Sequence, residues 1–438
     1  MQSFYGEGSR ESLVYDETQQ VSSPDGFTAV FFQTHWDLLK KDVCVAVINF
    51  LNGGIFPEEM DSTILVLIPK VKHPRVLSDY RPISLCNVIY KFCSKVLENR
   101  LRTILNEIIS AEQSAFIPGR LITDNVLIPY ECIHYLRKKK GNSGDCTIKL
   151  NMAKACDRVE WPYLRSIMNK MGFDDRWINI VMRCVESVSF SVRVNGQLSE
   201  RFKPSRGIRQ GDPISPYLFL LCTKGLSSLL KFSGPQFLCK GVRIGIHAPW
   251  ISHLLFAGDC LVFTQASQRG AEHSQKIMEK YHKELGQLVN KNKSAVFFSS
   301  NWVDEVKTSV RKILGIDKEA LEERYLGLPT ALGRNTTTFE KITTQVSALL
   351  GGVCEKNLSM AGREVLIKSV AQAIPTYLMS SFLLFKNTCK KITSAMAKYW
   401  WGGDGEKSKM HWKKWEDIAV PKIEGGGGGG GISGYETF

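Results

Sequence analysis

The chain has 438 residues, of which 43% are hydrophobic and 23% are charged, so it is long enough for two or three globular domains. Lysine and arginine outnumber aspartate and glutamate by 57 to 43, and the net charge of +14 favours a polyanionic partner such as nucleic acid. A generally basic surface without a partner is the alternative. The twelve scattered cysteines include no C-x-x-C pair, which argues for buried free thiols and against a zinc site or disulfide framework.

The N-terminal region, residues 1–23, is polar and lacks the basic start and apolar run of a signal peptide. No uninterrupted apolar stretch approaches the roughly 18 residues that a membrane span requires. We therefore expect a soluble intracellular protein, in the nucleus, the cytoplasm or both, without membrane contact.

Apolar spacing predicts an alternation of helices and strands along the chain. A helical pattern runs from the turn at 24–27 through about residue 52, and a buried strand follows at 63–69. The basic run 137–142 is interpreted as a solvated loop rather than a grip on template phosphates. Further elements are predicted as helices at 88–109, 161–171, 176–187, 216–230, 267–288, 303–314, 338–350, 360–373 and 390–401, and strands at 147–151, 189–194 and 294–299.

Three short stretches carry the strongest functional signal. The first, SHLLFAGDCLVFT at 252–264, has two apolar runs flanking Gly258 and Asp259, which predicts a β-hairpin with this glycine and aspartate in its tight turn. The stretch RQGDPISP at 209–216 lies upstream, and IKLNMAKACD at 148–157 lies before that.

In this order, the three stretches resemble the central motifs of reverse transcriptases of LINE-type (non-LTR) retrotransposons, of the kind common in plants. The resemblance implies an α+β right-hand polymerase fold with fingers, a palm with a central antiparallel sheet, and a helical thumb. The implied domains are a polar tail at 1–23, a helical N-terminal extension at 24–62, fingers and palm at 63–300, a helical thumb and C-terminal region at 301–422, and a glycine-rich tail at 423–438. We interpret the chain as a truncated and degenerate copy of such an element.

The family holds two Mg²⁺ ions with three palm aspartates, and this chain departs from that pattern. Asp259 matches one of them, whereas Asn151 and Gly258 stand where the family has aspartate. Magnesium prefers oxygen ligands, usually carboxylates, waters and phosphates, so losing two carboxylates should weaken both metal binding and catalysis. Asp157 is not expected to replace them, because the segment after Asn151 turns toward a helix.

Other positions match residues that contact substrate in the family. Cys156 stands where the family has an aromatic residue that excludes the ribose 2′-hydroxyl, so sugar discrimination should be weakened. In the family, a lysine and an arginine of the fingers contact the incoming triphosphate, and a glutamine and a glycine pack against the nascent base pair. A further lysine of the family is suggested to protonate the pyrophosphate. The matching residues are Lys70, Arg81, Gln210, Gly211 and Lys293. For Lys293, a solvent-exposed lysine at the start of a strand is an equal alternative.

The implied function is RNA-directed DNA polymerisation, with an RNA template, a DNA primer and deoxynucleoside triphosphates as partners, in an impaired form. Two alternatives stay open: a catalytically inactive nucleic-acid-binding protein, and a non-functional retrotransposon relic. The sequence shows neither an endonuclease region before the polymerase motifs nor an RNase H region after them, so we do not expect autonomous transposition from this chain alone.

Overall fold

The computed structural model describes residues 23–55, 57, 59–140, 144–232, 241–319, 324–329, 337–351, 358–402 and 410–418. The predicted tails, up to residue 22 and from residue 423 onward, lie outside the described residues. The chain forms two compact units, Met1–Asn125 with Cys132–Ala320, and Val126–Glu131 with Leu321–Phe438. The domain boundaries given by the resemblance stay predictions.

The first unit mixes helices and strands. Its strands are β1 (Ser62–Pro69), β2 (Tyr80–Cys86), β3 (Asp145–Ala153), β4 (Ser189–Val194), β5 (Gln197–Leu198), β6 (His253–Phe256), β7 (Asp259–Gln265), β8 (Leu288–Val289) and β9 (Ala295–Phe298). Its helices are α1 (Ala29–Thr34), α2 (Trp36–Leu51), α3 (Val88–Ile108), α5 (Trp161–Lys170), α6 (Asp175–Glu186), α7 (Ser215–Phe232), α8 (Gln268–Leu285) and α9 (Asp304–Leu314), while α4 (Asp124–Lys138) has residues in both units. Short 3₁₀ turns occupy Leu77–Asp79, Cys156–Arg158 and Lys291–Lys293.

The N-terminal helical pattern, predicted through about residue 52, forms two helices, α1 and α2. His35, with φ −104° and ψ 21°, lies between α1 and α2 and departs from helical dihedral angles. Helix α8, predicted to reach residue 288, ends earlier, at Leu285. Gly286 adopts the left-handed conformation (φ 76°) that terminates many helices.

The central sheet is antiparallel, as predicted. Strand β3 pairs with β7 on one side and with both β8 and β9 on the other, and β6 completes the sheet beyond β7. The β3–β7 ladder runs from the pair Asp145 and Gln265 at one end to the pair Asn151 and Asp259 at the other. Each end of the ladder thus pairs a carboxylate side chain with an amide side chain.

A second sheet has the order β2-β1-β4-β5, in which β1 and β4 are parallel. The predicted tight turn between β4 and β5 is present, with positive φ at Asn195 (50°) and Gly196 (84°). Asparagine and glycine tolerate this conformation better than other residues, which is why the sequence pattern identified the turn.

The core of the first unit lies between the central sheet and helices α3 and α7. Tyr90, Leu97 and Leu101 of α3 and Leu220 of α7 are almost completely buried, as is Val262 of β7. Eight of the ten described cysteines are buried, in agreement with the prediction that the cysteines lie inside apolar segments.

The second unit is mainly helical. Its elements are β10 (Arg324–Tyr325), β11 (Leu328–Pro329), α10 (Thr337–Leu350), α11 (Met360–Leu366), α12 (Ala373–Met379), α13 (Lys386–Trp400) and α14 (Trp415–Ile418). The helix predicted at 360–373 is divided by a π-helical turn at Ile367–Ala371. Pro375 follows this turn and cannot donate a backbone hydrogen bond, which favours a widened helical turn before it. Among the described helices of both units, none combines the length and apolar character needed to cross a membrane.

Candidate polymerase site

The hairpin at the centre of the site is shifted by one residue from its predicted register. Its turn residues are Ala257 and Gly258, whereas Asp259 already belongs to β7 and pairs with both Phe256 and Asn151. Ala257 takes the positive φ of the turn (51°). The prediction that Gly258 and Asp259 form the turn together was therefore wrong. Asp259 is a strand residue, because it pairs with β6 on one side and with β3 on the other.

Asn151 and Asp259 face each other at the end of the central sheet. The Asn151 Nδ2 donates a hydrogen bond to Asp259 Oδ1 at 2.9 Å, and both residues are half-buried. A carboxylate at position 151 would leave two like charges opposite each other, which disfavours strand pairing. The Asn151 amide carries no charge, so this repulsion is absent. Its hydrogen bond also engages Asp259 Oδ1, an oxygen that could otherwise coordinate a cation.

Gly258 provides space for a side chain. A Cβ at this position would lie 3.5 Å from the Ala155 Cβ, 3.9 Å from the Met152 Cβ and 3.9 Å from Phe219 Cζ, all ordinary van der Waals distances. Its φ also lies outside the left-handed region. The backbone therefore still accepts an aspartate at position 258, although the chain carries a glycine.

The residues present do not fit the two-ion magnesium site of the family. Among the described residues, no group of three or more His, Cys, Asp or Glu side chains is arranged to hold a metal ion. Asp259 is the single carboxylate among the three matching positions, and its Oδ1 accepts from an amide. Mg²⁺ sites in proteins rely on carboxylate oxygens, so this donor set is poor for a dication.

The residues predicted to contact the sugar and the base pair come together in one cluster. The Gln210 Nε2 donates to Asp157 Oδ1 at 2.8 Å, and the Ser84 backbone N–H of β2 donates to the Gln210 carbonyl at 2.8 Å. Gly211 has a φ of 105°, and a Cβ there would lie 3.2 Å from the Ser84 carbonyl oxygen. Gln210 and Gly211 are thus held between β2 and the turn that carries Asp157, which accounts for the glycine.

Cys156 lies in the same turn and is half-buried. Its carbonyl accepts from the Ile208 backbone N–H at 3.0 Å. Burial, with a smaller effect from the charge of Asp157, raises the pKa of the Cys156 thiol to about 11, so the side chain is neutral at physiological pH. A small neutral thiol therefore stands where the family has an aromatic ring.

The turn that carries Lys293 contacts the backbone of Asn151. The Asn290 backbone N–H donates to the Asn151 carbonyl at 2.8 Å, and the Asn151 N–H donates to Ser294 Oγ at 3.2 Å. Lys293 itself is exposed, and its backbone N–H donates to Asn290 Oδ1 at 3.2 Å. The structure thus places Lys293 on a segment bonded directly to the end of β3.

Lys70 and Arg81 lie on the hairpin of β1 and β2. Arg81 pairs with Ile68 and is exposed, while Lys70 follows the end of β1 and its Nζ donates to the Ser78 carbonyl at 3.1 Å. Both cations face solvent from one hairpin, and β2 reaches the cluster around Gln210 through the Ser84 hydrogen bond. Their predicted contact with triphosphate stays a prediction.

Sequence reasoning missed the role of Gln113 in shaping the hairpin. This side chain is 1% exposed, and its Oε1 accepts from the backbone N–H groups of Ala257 at 3.0 Å and Ala115 at 3.1 Å. Gln113 thus fixes the turn that precedes Asp259. The available signal was the glutamine that begins the stretch QSAFIPGR at 113–120.

A buried ionic cluster behind Gln210 was also missed. Arg209 is 4% exposed, with its guanidinium 4.1 Å from the centre of the Tyr90 ring and 3.9 Å from Asp61 Oδ1. Asp212 accepts hydrogen bonds from the Tyr90 hydroxyl at 2.6 Å and from the Ser94 hydroxyl. Burial raises the pKa of Asp61, although Arg209 opposes this effect. The cluster anchors both neighbours of Gln210 and Gly211, namely Arg209 and Asp212.

The antiparallel sheet with Asp259 at its end, the nearby Gln210 and Gly211 and the cationic hairpin together define a nucleic-acid polymerase palm and fingers. The family described as "Reverse transcriptase (RNA-dependent DNA polymerase)" matches residues 68–330, and the chain belongs to this family. Membership confirms the predicted right-hand polymerase fold of mixed helices and strands.

Several of the relatives are named as proteins of transposable elements. The chain is 26% identical to the "Transposon TX1 uncharacterized 149 kDa protein" of Xenopus laevis over 92% of its own length and 30% of that protein. It is 29% identical to the "Retrovirus-related Pol polyprotein from type-2 retrotransposable element R2DM" of Drosophila melanogaster over 38% of its own length and 16% of that protein. A structure of apo telomerase from Candida tropicalis is similar with a TM-score of 0.42 and 13% identity, covering 84% of this chain and 68% of that one.

These relatives confirm the resemblance to LINE-type reverse transcriptases. The chain spans less than a third of the length of either of these two transposon proteins. Its origin in a plant-type element and its truncation stay predictions.

Proposed function

We propose that this reverse transcriptase domain retains its nucleic-acid-binding surfaces but polymerises poorly. The observation that carries the proposal is the hydrogen bond from Asn151 to Asp259. An amide and one carboxylate stand here where the family has a pair of carboxylates. Gly258 adds no ligand of its own. The proposed partners are an RNA template, a DNA primer and deoxynucleoside triphosphates.

The expected loss of activity is large. Removing residues that only support metal ligands reduces metal affinity or activity by about 10- to 100-fold in metalloenzymes. Loss of two direct ligands should therefore reduce polymerisation by at least about 100-fold. Asp157 is a poor substitute, because its Oδ1 accepts from Gln210 and its turn leaves the strand after Ala153.

Nucleic-acid binding depends on different features and should persist. The net charge of +14 and the exposed Lys70 and Arg81 are independent of the metal ligands. Binding driven by phosphate neutralisation weakens steeply with salt, because bound counterions are released. An inactive nucleic-acid-binding protein is therefore the second candidate function, and it differs from the first only in whether any polymerisation is measurable.

Primer extension on poly(rA) with an oligo(dT) primer tests the proposal, in Mg²⁺ and then in Mn²⁺. The chain as written is compared with Asn151→Asp plus Gly258→Asp, a change that the backbone at residue 258 accommodates. The matched control adds Asp259→Asn to that double variant and so removes one carboxylate again. Fluorescence anisotropy of the same template and primer over a salt series measures binding separately.

We expect extension by the double variant only, with similar salt-sensitive binding by all three proteins. Extension by the unmodified chain at a comparable rate would contradict the claim of an impaired site. If the double variant is inactive and the unmodified chain also fails to bind the template and primer, the proposed retention of the binding surfaces is wrong.

The sugar preference can be measured in the repaired protein. With Cys156 in place, we expect ribonucleotides to compete more effectively against deoxyribonucleotides than they do after Cys156→Tyr. The thiol is smaller than a ring and neutral, so size alone should control the difference. Equal discrimination by both proteins would show that residue 156 does not contact the sugar.

A further inference from the structure

A cavity of about 570 Å³ lies at the end of the central sheet that does not carry Asp259. Asp145 and Gln265, which form the last pair at this end of the β3–β7 ladder, both line it. Asn151 lies six positions after Asp145 in β3, so at about 3.4 Å per residue the two ends are about 20 Å apart. The cavity is therefore separate from the polymerase site.

A small loop hairpin forms one wall of the cavity. The Val242 N–H donates to the Ile251 carbonyl at 3.0 Å, and the Ile251 N–H donates back to the Val242 carbonyl at 2.9 Å. Gly241, with φ 88°, precedes this pair, and a Cβ there would lie 2.0 Å from the Ile251 carbonyl oxygen. The wall is thus held in a specific shape by backbone hydrogen bonds and a glycine that cannot be replaced without a shift.

Aromatic and cationic side chains line the cavity together. The Arg243 guanidinium lies 5.1 Å from the centre of the Trp250 ring, and Trp250 is 45% exposed. Tyr135 of α4 supplies a second aromatic ring to the lining. Large exposed rings beside arginine are the groups on which nucleic-acid bases stack, since each base offers a π-face of its own.

The remaining polar groups suit a phosphorylated, hydrogen-bonding ligand. The Lys139 Nζ pairs with Asp145 Oδ2 at 2.5 Å, and Arg243 adds a second cation, so the three charged side chains of the lining carry a net positive charge. Gln265 is exposed and offers both amide donors and a carbonyl acceptor. The volume falls within the range of about 300–1,000 Å³ that is typical of small-molecule sites.

We propose that this cavity is a nucleotide-binding site, which takes one unpaired nucleotide by stacking its base on Trp250 and holding its phosphate with Arg243 and Lys139. The nucleotide can be free or part of a single-stranded RNA, because both present the same base, sugar and phosphate. The site lies outside the polymerase cluster and does not depend on whether polymerisation is retained.

Calorimetric titration of the full chain with AMP tests the site, since a monophosphate does not require the triphosphate contacts of a polymerase. The variants are Trp250→Ala and Arg243→Ala, with Trp250→Phe to keep an aromatic face. Arg176→Ala, at an exposed arginine of α6 in the same unit, is the control matched in charge to Arg243→Ala. Thermal unfolding of each variant checks that the fold is intact.

We expect saturable binding of AMP by the unmodified chain and by Arg176→Ala. Loss of one stacking contact should raise the Kd for Trp250→Ala by about 5- to 150-fold, and Trp250→Phe should recover part of the affinity. Arg243→Ala should also raise the Kd, through lost phosphate contact.

A short unstructured oligoadenylate distinguishes the two sources of the nucleotide. If the RNA competes with AMP for the Trp250-dependent site, the cavity accepts a nucleotide within a strand. If the RNA does not compete, the cavity takes only free nucleotides. Both results support the proposal. If neither probe binds, or if both bind Trp250→Ala and Arg243→Ala as tightly as they bind Arg176→Ala, the proposal is wrong.

Discussion

Acid should destabilise the first unit through His253, a residue of β6 in the hairpin that leads to Asp259. The side chain is completely buried, with Nε2 2.8 Å from Ser227 Oγ and Nδ1 2.9 Å from Ser252 Oγ. Burial lowers the pKa of His253 from 6.5 to about 4, and the nearby charge of Glu112 opposes this only in part. The folded protein therefore holds a neutral imidazole.

The pKa difference determines the direction and size of the effect. Between pH 6.5 and about 4 the unfolded chain binds a proton at His253 that the folded chain does not, so stability falls as pH decreases through this range. Each pKa unit corresponds to about 1.4 kcal/mol, so the full effect is roughly 3 kcal/mol, of which roughly 2.5 kcal/mol is lost by about pH 4.5. A typical domain has about 5–15 kcal/mol of stability in total, so the loss is measurable.

Urea unfolding of the unmodified chain and of His253→Gln, between about pH 7.5 and 4.5, measures the effect. Glutamine keeps a polar partner for Ser227 but does not titrate, so its stability should fall by roughly 2.5 kcal/mol less over this range. His247→Gln, at an exposed histidine, is the control and should behave like the unmodified chain. Equal losses for His253→Gln and the unmodified chain would refute the reasoning.

Three further predictions concern stability and metal binding. Arg209→Ala should lower the free energy of unfolding by about 3–5 kcal/mol, since it leaves Asp61 buried without its cation, and chemical denaturation measures this change. Gly211→Ala should lower the free energy of unfolding by about 1–3 kcal/mol, because residue 211 has a φ of 105°. Gly258→Ala should leave the free energy of unfolding unchanged or raise it by up to about 1 kcal/mol. Similar melting temperatures for the two variants would contradict the glycine geometry. Addition of Mg²⁺ should raise the melting temperature of Asn151→Asp plus Gly258→Asp but leave that of the unmodified chain unchanged, as differential scanning fluorimetry can test.

The elements most accurately predicted from the sequence are those specified by local chemistry. The Leu-rich helix at 216–230, the strand at 63–69 and the turn at Asn195 and Gly196 are close to their predicted positions. Runs of apolar residues and the φ preferences of asparagine and glycine act within a few residues, so a short window of sequence contains the necessary information.

Features that depend on distant residues were not predictable in the same way. The cluster around Arg209 requires Asp61, Tyr90 and Asp212, which lie far apart in the chain and meet only in the folded structure. The one-residue shift of the hairpin has a similar cause: Asp259 pairs with Asn151 of β3, and pairing between strands sets the register. Local glycine and aspartate signals alone favoured a different turn.

The contact between Asn151 and Asp259 also explains how the sheet can keep its fold without a metal ion. In the family pattern, aspartates at these positions repel each other, by about 4 kcal/mol for a pair 4 Å apart at an effective dielectric constant of 20, and bound cations offset that repulsion. Here the Asn151 amide donates to Asp259, and Gly258 carries no charge. Asn151 and Gly258, which stand where the family has metal-binding aspartates, therefore also remove the repulsion that bound cations would offset at this end of the sheet. The proposed loss of catalysis and the retention of the fold follow from the same change in charge, so an intact palm is not by itself a sign of polymerase activity.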